Sequence, residues 1–346
     1  MRAAVARAGA ITVDDIEDPV PAVGQVLLAS LACGICGSDL HMLDVLGTLG
    51  PDGPALVLGH EFCGEVLDHG PGTERRFAPG TRVCAVPYAT GPDGPELVGY
   101  SGRFPGGFAE RVVIDAEHLI AVPDDLATEH AALTKPLAVG VHAVATARLT
   151  PGTPALVVGC GPIGLAVVAA LKAHGHGPIV AADFSPARRA RAERLGADVV
   201  VDPADHSPYE RWTQLGGEPL PPSPLLDATV GRGAAESPVV FECVGVPGLL
   251  QQVIDGAPPH AHVVVVGVCT QPDTIQPATA ITKELSLDFV FAYRAAEFAE
   301  ALRLLASGAV DPSSFVTDSV PLAGVADAFA RLRNPDDLVK VLVYPH

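Results

Sequence analysis

Two short stretches of this chain concentrate side chains able to hold a metal and move protons. "CGICGSDLH" carries Cys36, Ser38, Asp39 and His41, and "LGHEFCGE" carries His60 and Glu61. Thiolate, imidazole and carboxylate are the ligand types of a catalytic zinc, which takes three protein ligands and keeps a fourth position for water or substrate. A third stretch, "AALTKPLAVGVHA", sets Lys135 among small and apolar neighbours. The chain has only four lysines, Lys135, Lys172, Lys283 and Lys340. An ammonium in such company is exposed, paired or functional. Cys33 and Cys36 form one C-x-x-C with no second to match it, so a four-cysteine metal site is not available. Cys33, Cys63, Cys84, Cys160, Cys243 and Cys269 sit in apolar runs and read as core. Seven scattered cysteines in a chain of this length point to reduced thiols or metal ligands rather than disulfides.

A different chemistry is written in "VVGCGPIG", where Gly159, Gly161 and Gly164 form G-x-G-x-x-G between a strand and a helix. The first glycine allows the tight turn. The second lets a pyrophosphate reach the backbone at the positive end of the helix, and the third lets the helix pack close to the strand. Pro162 and Ile163 complete this loop. Asp183 ends the next strand, where a carboxylate accepts from both ribose hydroxyls and repels a 2′-phosphate. That favours NAD over NADP, although Arg188 or Arg189 could reach a phosphate. Val244 in "ECVG" and Gly267 in "HVVVVGV" end later strands and are further candidate cofactor contacts. The competing reading is a glycine turn in a nucleotide-free α/β domain.

The elements around these motifs fall into two patterns. To about residue 138 the chain reads as short strands and turns, such as "GQVLLASLACGI" and "RVCAVPY", in an antiparallel, loop-rich domain. From residue 139 strands and helices alternate. "PALVVGCG", "PIVAAD", "ADVVVDP", "PVVFECVG", "HVVVVGV" and "LSLDFVFAY" are six strands, and their continuous Val-rich runs suit a parallel sheet covered on both faces. "LAVGVHAVATAR", "PIGLAVVAALKAHG" and "SPARRARAERLG" are helices. The Pro- and Gly-rich segment from "PADHSPYERW" to "AAESP" holds the only Trp and reads as an irregular surface excursion with one helix. After Tyr293 come the amphipathic helix "AAEFAEALRLLASG" and a tail that reads as helix, turn and final strand. The expected domains are thus 1–138, 139–293 and a return segment, 294–346, that rejoins the first.

Composition narrows the functions. The 346 residues, 48% of them hydrophobic, suggest two domains. A net charge of −18 argues against nucleic acid and anionic membrane partners. No run of about 18 uncharged apolar residues is present, so no transmembrane helix is expected. The start lacks a signal-peptide core, and a cytoplasmic protein is the expectation.

Together, "CGICGSDLH", "GHEFCGE", "PGGFAE", "PLAVGVHA", "GCGPIGL" and "ECVG" resemble the zinc-dependent medium-chain dehydrogenases of the alcohol and polyol type, over essentially the whole chain. The resemblance implies an α/β protein with two domains. One is a partly open, GroES-like β-barrel catalytic domain, and the other is a doubly wound, six-stranded Rossmann cofactor domain, with the active site in the cleft. It implies zinc ligands Cys36, His60 and Glu61, with Asp39 orienting His60. It also implies a proton relay from Ser38 to His41 by way of the cofactor ribose. The activity implied is NAD-dependent hydride transfer from a secondary or polyol-type alcohol, or to its ketone. A homodimer or homotetramer is the expected assembly, with "LSLDFVFAY" as a strand able to pair with a copy of itself.

Two departures stand out. Many relatives carry a lobe of four clustered cysteines for a structural zinc. Here the corresponding stretch, "VPYATGPDGPELVGYSGRFPGGFAE", has none, so one zinc is expected. The position of Lys135 is often Glu in relatives, a third ligand or a partner of the metal-bound water. Three readings stand. Lys135 turns from the metal and bonds Glu61 or a substrate oxygen; or its ammonium takes the metal's place in a zinc-free carbonyl reductase; or it abolishes catalysis and leaves a dinucleotide-binding protein. The substrate itself is not legible. Leu43, Leu46, Tyr88, Tyr100 and Tyr293 are candidates for lining it, but each reads first as packing.

Overall fold

A computed structural model of the chain describes residues 1–215, 228, 237–333 and 337–346. Its strands in chain order are β1 (Arg2–Arg7), β2 (Ala10–Asp15), β3 (Gln25–Gly34), β4 (Leu56–Val57), β5 (Glu61–His69), β6 (Arg82–Ala85), β7 (Tyr88–Gly91), β8 (Gly94–Leu97), β9 (Arg111–Asp115), β10 (Leu119–Ala121), β11 (Ala155–Val158), β12 (Ile179–Ala182), β13 (Val199–Val201), β14 (Val239–Glu242), β15 (His262–Val265), β16 (Ser286–Phe289), β17 (Val316–Pro321) and β18 (Lys340–Tyr344). Five helices matter below: α1 (Gly37–Leu49), α2 (Thr134–Ala147), α3 (Pro162–Ala173), α4 (Pro186–Arg194) and α5 (Pro208–Thr213). The chain forms two compact units. One is Met1–Lys135 with Ala301–Gly308 and Phe315–His346; the other is Pro136–Glu300 with Ala309–Ser314.

The first unit is the GroES-like fold. A seven-stranded sheet runs β10-β6-β5-β3-β18-β17, with β9 also pairing β3. Its pairs are antiparallel except β17 with β18. Burial alternates along β3 from Val26 to Ala32, with Val26, Leu28, Ser30 and Ala32 buried between half-buried Leu27, Ala29 and Leu31, and Val26 and Leu28 join a core with Phe108, Ile114 and Phe329. In the tail β18 lies beside β3, with Leu342 opposite Gly34 and Val343 opposite Cys33. That pairing puts Lys340 near the metal-type cluster.

The second unit is a doubly wound parallel sheet of order β13-β12-β11-β14-β15-β16. The strand order reverses at β11, the point where such sheets bind ligands. β11, β12 and β14 are buried throughout, as continuous apolar runs require.

Some details differ from the sequence-based expectations. "LSLDFVFAY" is a strand only over Ser286–Phe289, because its other neighbours leave the sheet; Phe289 and Phe291 are exposed. Cys33, Cys63, Cys84 and Cys160 are buried, but Cys243 and Cys269 are only half-buried, since both lie past the ends of their strands. The excursion after β13 does hold a helix, α5, but its Trp212 is buried rather than on the surface. Trp212 donates to the Pro154 carbonyl at 3.1 Å. The rest of that excursion, 216–236 apart from 228, and residues 334–336, within the expected turn before the last strand, lie outside the described residues. No helix among the described residues is long and apolar enough to cross a membrane.

Candidate active site

Cys36 lies at the N-terminus of α1, which Asp39 closes by accepting from the Cys36 backbone N–H at 2.9 Å. Such a carboxylate satisfies one of the orphan amides of a helix start. Glu61 opens β5 and His60 immediately precedes it, with Gly59 turning the chain into the strand at φ +97°. A Cβ on Gly59 would lie 2.7 Å from the Phe108 ring and 2.9 Å from Cys33 Sγ, so only glycine fits. Cys36, His60 and Glu61 each offer a ligand atom within 4.8 Å of the others, and His60 and Glu61 are buried. His60 Nδ1 faces Asp39 Oδ1 at 3.2 Å, a charge contact rather than an aligned hydrogen bond. This leaves Nε2 as its ligand atom.

Lys135 comes from the start of α2. Its Nζ is 3.8 Å from Cys36 Sγ and 3.4 Å from Glu61 Oε1. The opposite oxygen, Oε2, accepts from Lys340 Nζ at 2.6 Å, and the same ammonium donates to the Ile35 carbonyl at 2.9 Å. Two of the four lysines therefore converge on one carboxylate. Gly34 makes this possible: a Cβ there would stand 2.7 Å from Glu61 Oε2 and 3.1 Å from Lys340 Cδ. Lys340 was not singled out in the sequence. The signal was present, because "LVKVLVY" sets a lysine in an apolar strand just as "TKPLAVG" sets Lys135 in an apolar helix.

The charges set the protonation states. Burial would raise the Glu61 carboxyl, but Lys340 and Lys135 overcome it and bring the group down to about 2. Burial also opposes the Cys36 thiolate, yet Lys135 leads the groups that lower this thiol. Burial disfavours a charged His60, and Asp39 outweighs it to bring the imidazole up to about 9. The cluster thus offers a carboxylate, a basic imidazole and a thiol that Lys135 shifts towards thiolate, the donor set a zinc ion takes, with the metal replacing the imidazole proton. Edges of a tetrahedral zinc site are about 3.3 to 3.6 Å from the usual bond lengths, which the cluster can close to by small side-chain shifts. The residues fit the metal. The nearby Lys135 ammonium is tolerated because Glu61 stands beside it.

Ser38 and His41 both lie on α1, three residues apart and so on one face. Ser38 is half-buried and His41 exposed. The ring of Tyr100 stands edge-on to His60, centroids 5.2 Å apart. Of the other lining candidates, Leu43 and Leu46 belong to the core, Tyr88 meets the His118 ring at 6.3 Å and Tyr293 stacks on Phe298 at 5.3 Å.

In the second unit the glycine loop joins β11 to α3. Gly159 is at φ +89°, and a Cβ on Gly164 would sit 1.8 Å from the Gly159 carbonyl oxygen. Pro162 opens α3 and Ile163 follows it half-buried. Asp183, just past β12, accepts from Cys160 N at 2.7 Å and from Ser185 N at 2.8 Å. It thereby holds the loop while keeping lone pairs for a ribose. Arg188 Nη1 is 4.0 Å from Asp183 Oδ2. Arg189 is bound to the Asp183 and Phe184 carbonyls and to Asp202. Val244 and Gly267 meet through Glu242. This buried carboxylate, unmarked in the sequence reading, accepts from Val244 N at 2.7 Å and Gly245 N at 2.8 Å, while its carbonyl accepts from Gly267 N.

Comparison with known proteins places these two sites in context. Residues 22–124 match the alcohol dehydrogenase GroES-like domain, and residues 162–307 match the zinc-binding dehydrogenase family. The chain is 35% identical to (R,R)-butanediol dehydrogenase of Bacillus subtilis, over 97% of each chain. It is 30% identical to sorbitol dehydrogenase of the same organism, over 95% of this chain and 93% of that one. The crystal structure of 2R,3R-butanediol dehydrogenase from Bacillus subtilis superposes with a TM-score of 0.82 at 32% identity, over 100% of this chain and 99% of that one.

Proposed function

The chain belongs to the zinc-dependent medium-chain dehydrogenase family and is an alcohol dehydrogenase-type oxidoreductase, and from that premise we propose that it is specific for NAD and carries one catalytic zinc. The substrate is a secondary hydroxyl of a polyol-type alcohol, or the matching ketone. The convergence of Cys36, His60 and Glu61 within 4.8 Å is the observation that carries this reading. The butanediol and sorbitol dehydrogenases among the relatives favour a substrate with hydroxyls on adjacent carbons.

Cys36, His60 and Glu61 would hold the zinc, whose Lewis acidity would lower the pKa of an alcohol or polarise a carbonyl. NAD supplies the hydride acceptor. Ser38 would accept the proton of the reacting hydroxyl while handing its own hydroxyl proton on, by way of the cofactor ribose, to His41. His41, exposed one turn further along α1, releases that proton towards solvent. Lys340 keeps Glu61 ionised and fixed, and Asp39 does the same for the orientation of His60. Asp183 accepts from the ribose hydroxyls and disfavours a 2′-phosphate, while Gly159, Gly161, Pro162, Ile163 and Gly164 form the pyrophosphate loop at the start of α3. Arg188, Val244 and Gly267 line the remainder of that site.

A second reading has one observation in its favour. The Lys135 ammonium lies near both Cys36 Sγ and Glu61 Oε1, where a fixed cation could polarise a carbonyl without metal. The experiment that separates the two is turnover of a panel of diols, polyols and ketones, followed through NADH absorbance, with and without zinc. Zinc-dependent oxidation of a vicinal diol supports the first reading. Ketone reduction indifferent to zinc supports the second. A homodimer or homotetramer assembled through β16 is part of the proposal.

A further inference from the structure

Tyr100 sits on a loop that the protein holds in place with unusual care. Val98 is fully buried, and its N–H donates to the Pro87 carbonyl at 2.9 Å. Gly99 N donates to the Phe104 carbonyl at 3.1 Å, and Tyr100 N donates to the Leu97 carbonyl at 3.0 Å. Glu96 accepts from Arg103 Nε at 3.2 Å and from the Ser101 hydroxyl, which itself accepts from Arg103 N at 3.0 Å. Gly99, at φ +89°, packs against the residue before His60; a Cβ there would lie 3.0 Å from the Gly59 carbonyl oxygen. This contact brings the next side chain, Tyr100, onto the His60 ring. The loop belongs to the stretch that lacks the four clustered cysteines of many relatives.

The phenolic oxygen at the end of this construction is buried and makes no well-formed hydrogen bond among the described residues, although the Ser38 hydroxyl is close enough to act on it. A buried hydroxyl without a partner is costly and calls for an explanation, such as a ligand that completes it. Its surroundings name the ligand. A tyrosine hydroxyl is a neutral donor at ordinary pH, and this one stands beside the Ser38 hydroxyl with its ring against His60. The two oxygens of a vicinal diol are about 3 Å apart, one hydrogen-bond length. If Ser38 serves the reacting hydroxyl, Tyr100 is within reach of its neighbour.

We propose that the Tyr100 hydroxyl hydrogen-bonds the second hydroxyl of a vicinal diol and makes this site select diols over simple secondary alcohols. This rests on the reading above that Ser38 receives the reacting hydroxyl. A site built around a substrate hydroxyl rejects the analogue that lacks it, because its own polar group is then left unpaired.

The test compares wild type with Tyr100→Phe, both zinc-supplemented, on 2,3-butanediol and 2-butanol. Phenylalanine keeps the ring against His60, so a merely structural role for Tyr100 would leave selectivity alone. The kcat/KM ratio of diol to monoalcohol should fall about tenfold or more in the variant, through the diol. Calorimetric binding of the diol in the presence of NADH should weaken in parallel. An unchanged ratio and unchanged diol affinity would overturn the proposal while leaving the dehydrogenase reading intact. If wild type oxidises neither alcohol, that reading fails, and calorimetry alone decides: Phe-sensitive diol binding supports the role of Tyr100, and absent or Phe-insensitive binding overturns it.

Discussion

Lys340 Nζ stands 2.6 Å from Glu61 Oε2, and both side chains are buried. The two residues are 279 positions apart; the return of β18 alongside β3 brings them together. The pair ties the end of the chain to the metal-type cluster, and Lys135 on the other oxygen makes Glu61 a carboxylate between two ammoniums. Breaking a buried pair by removing one partner typically costs about 3–5 kcal/mol, because the other charge is left uncompensated.

The first prediction concerns acid. Glu61 is held at about 2, below its ordinary value of 4.5. A depressed carboxyl contributes stability that is full above its unfolded value and is lost as pH falls through the folded one. Urea unfolding of metal-free protein should therefore show the stability gap between wild type and Glu61→Gln shrinking as pH falls from about 4.5 towards 2. A gap that stays constant over that window would contradict the pairing.

Lys135 weakens the zinc site in this account. Replacing its ammonium, 3.8 Å from Cys36 Sγ and 3.4 Å from Glu61 Oε1, removes a positive charge beside a divalent cation. Lys135→Met should tighten zinc about tenfold or more in a chelator competition, and Lys135→Glu should do so further and raise alcohol oxidation. Loss of activity on the glutamate swap would instead mark a working lysine.

Asp183 is expected to set the cofactor preference. Asp183→Ser removes the charge that disfavours a 2′-phosphate, so KM for NAD should rise about tenfold and NADP should become usable. Steady-state kinetics with both cofactors checks this. Because Asp183 also accepts from Cys160 N, some loss of kcat with either cofactor is expected.

The edge strand β16 is exposed at Phe289, and Phe291 follows it, 85% exposed. Unpaired edges with such residues seek a partner strand. Light scattering at micromolar concentration should find an oligomer for wild type and a monomer for the double variant Phe289→Lys, Phe291→Lys. A monomeric wild type would end this part of the account.

Much of this architecture was legible because its signals are local. The parallel sheet declares itself in Val-rich runs such as "HVVVVGV", and the loop glycines 159, 161 and 164 stand where a strand meets a helix. The donor residues Cys36, His60 and Glu61 also stand out by type. What could not be read was pairing across the chain. Lys340 meets Glu61, and Tyr100 meets His60, only because a sheet register and a loop anchored at Gly99 bring them together. Glu242 was missed for a related reason, since its role is to accept backbone N–H groups of the turn that follows it. The extent of β16 was overestimated because apolar residues at an exposed edge look in sequence like a buried strand.

The most direct test of the central claim is the metal content of protein purified without chelator, measured by plasma mass spectrometry. The account predicts about one zinc per chain, since Cys36, His60 and Glu61 suffice for one site. It also predicts that the metal is lost in Cys36→Ser. Protein that holds no zinc even after reconstitution would contradict it and leave Lys135 as the cation of the site.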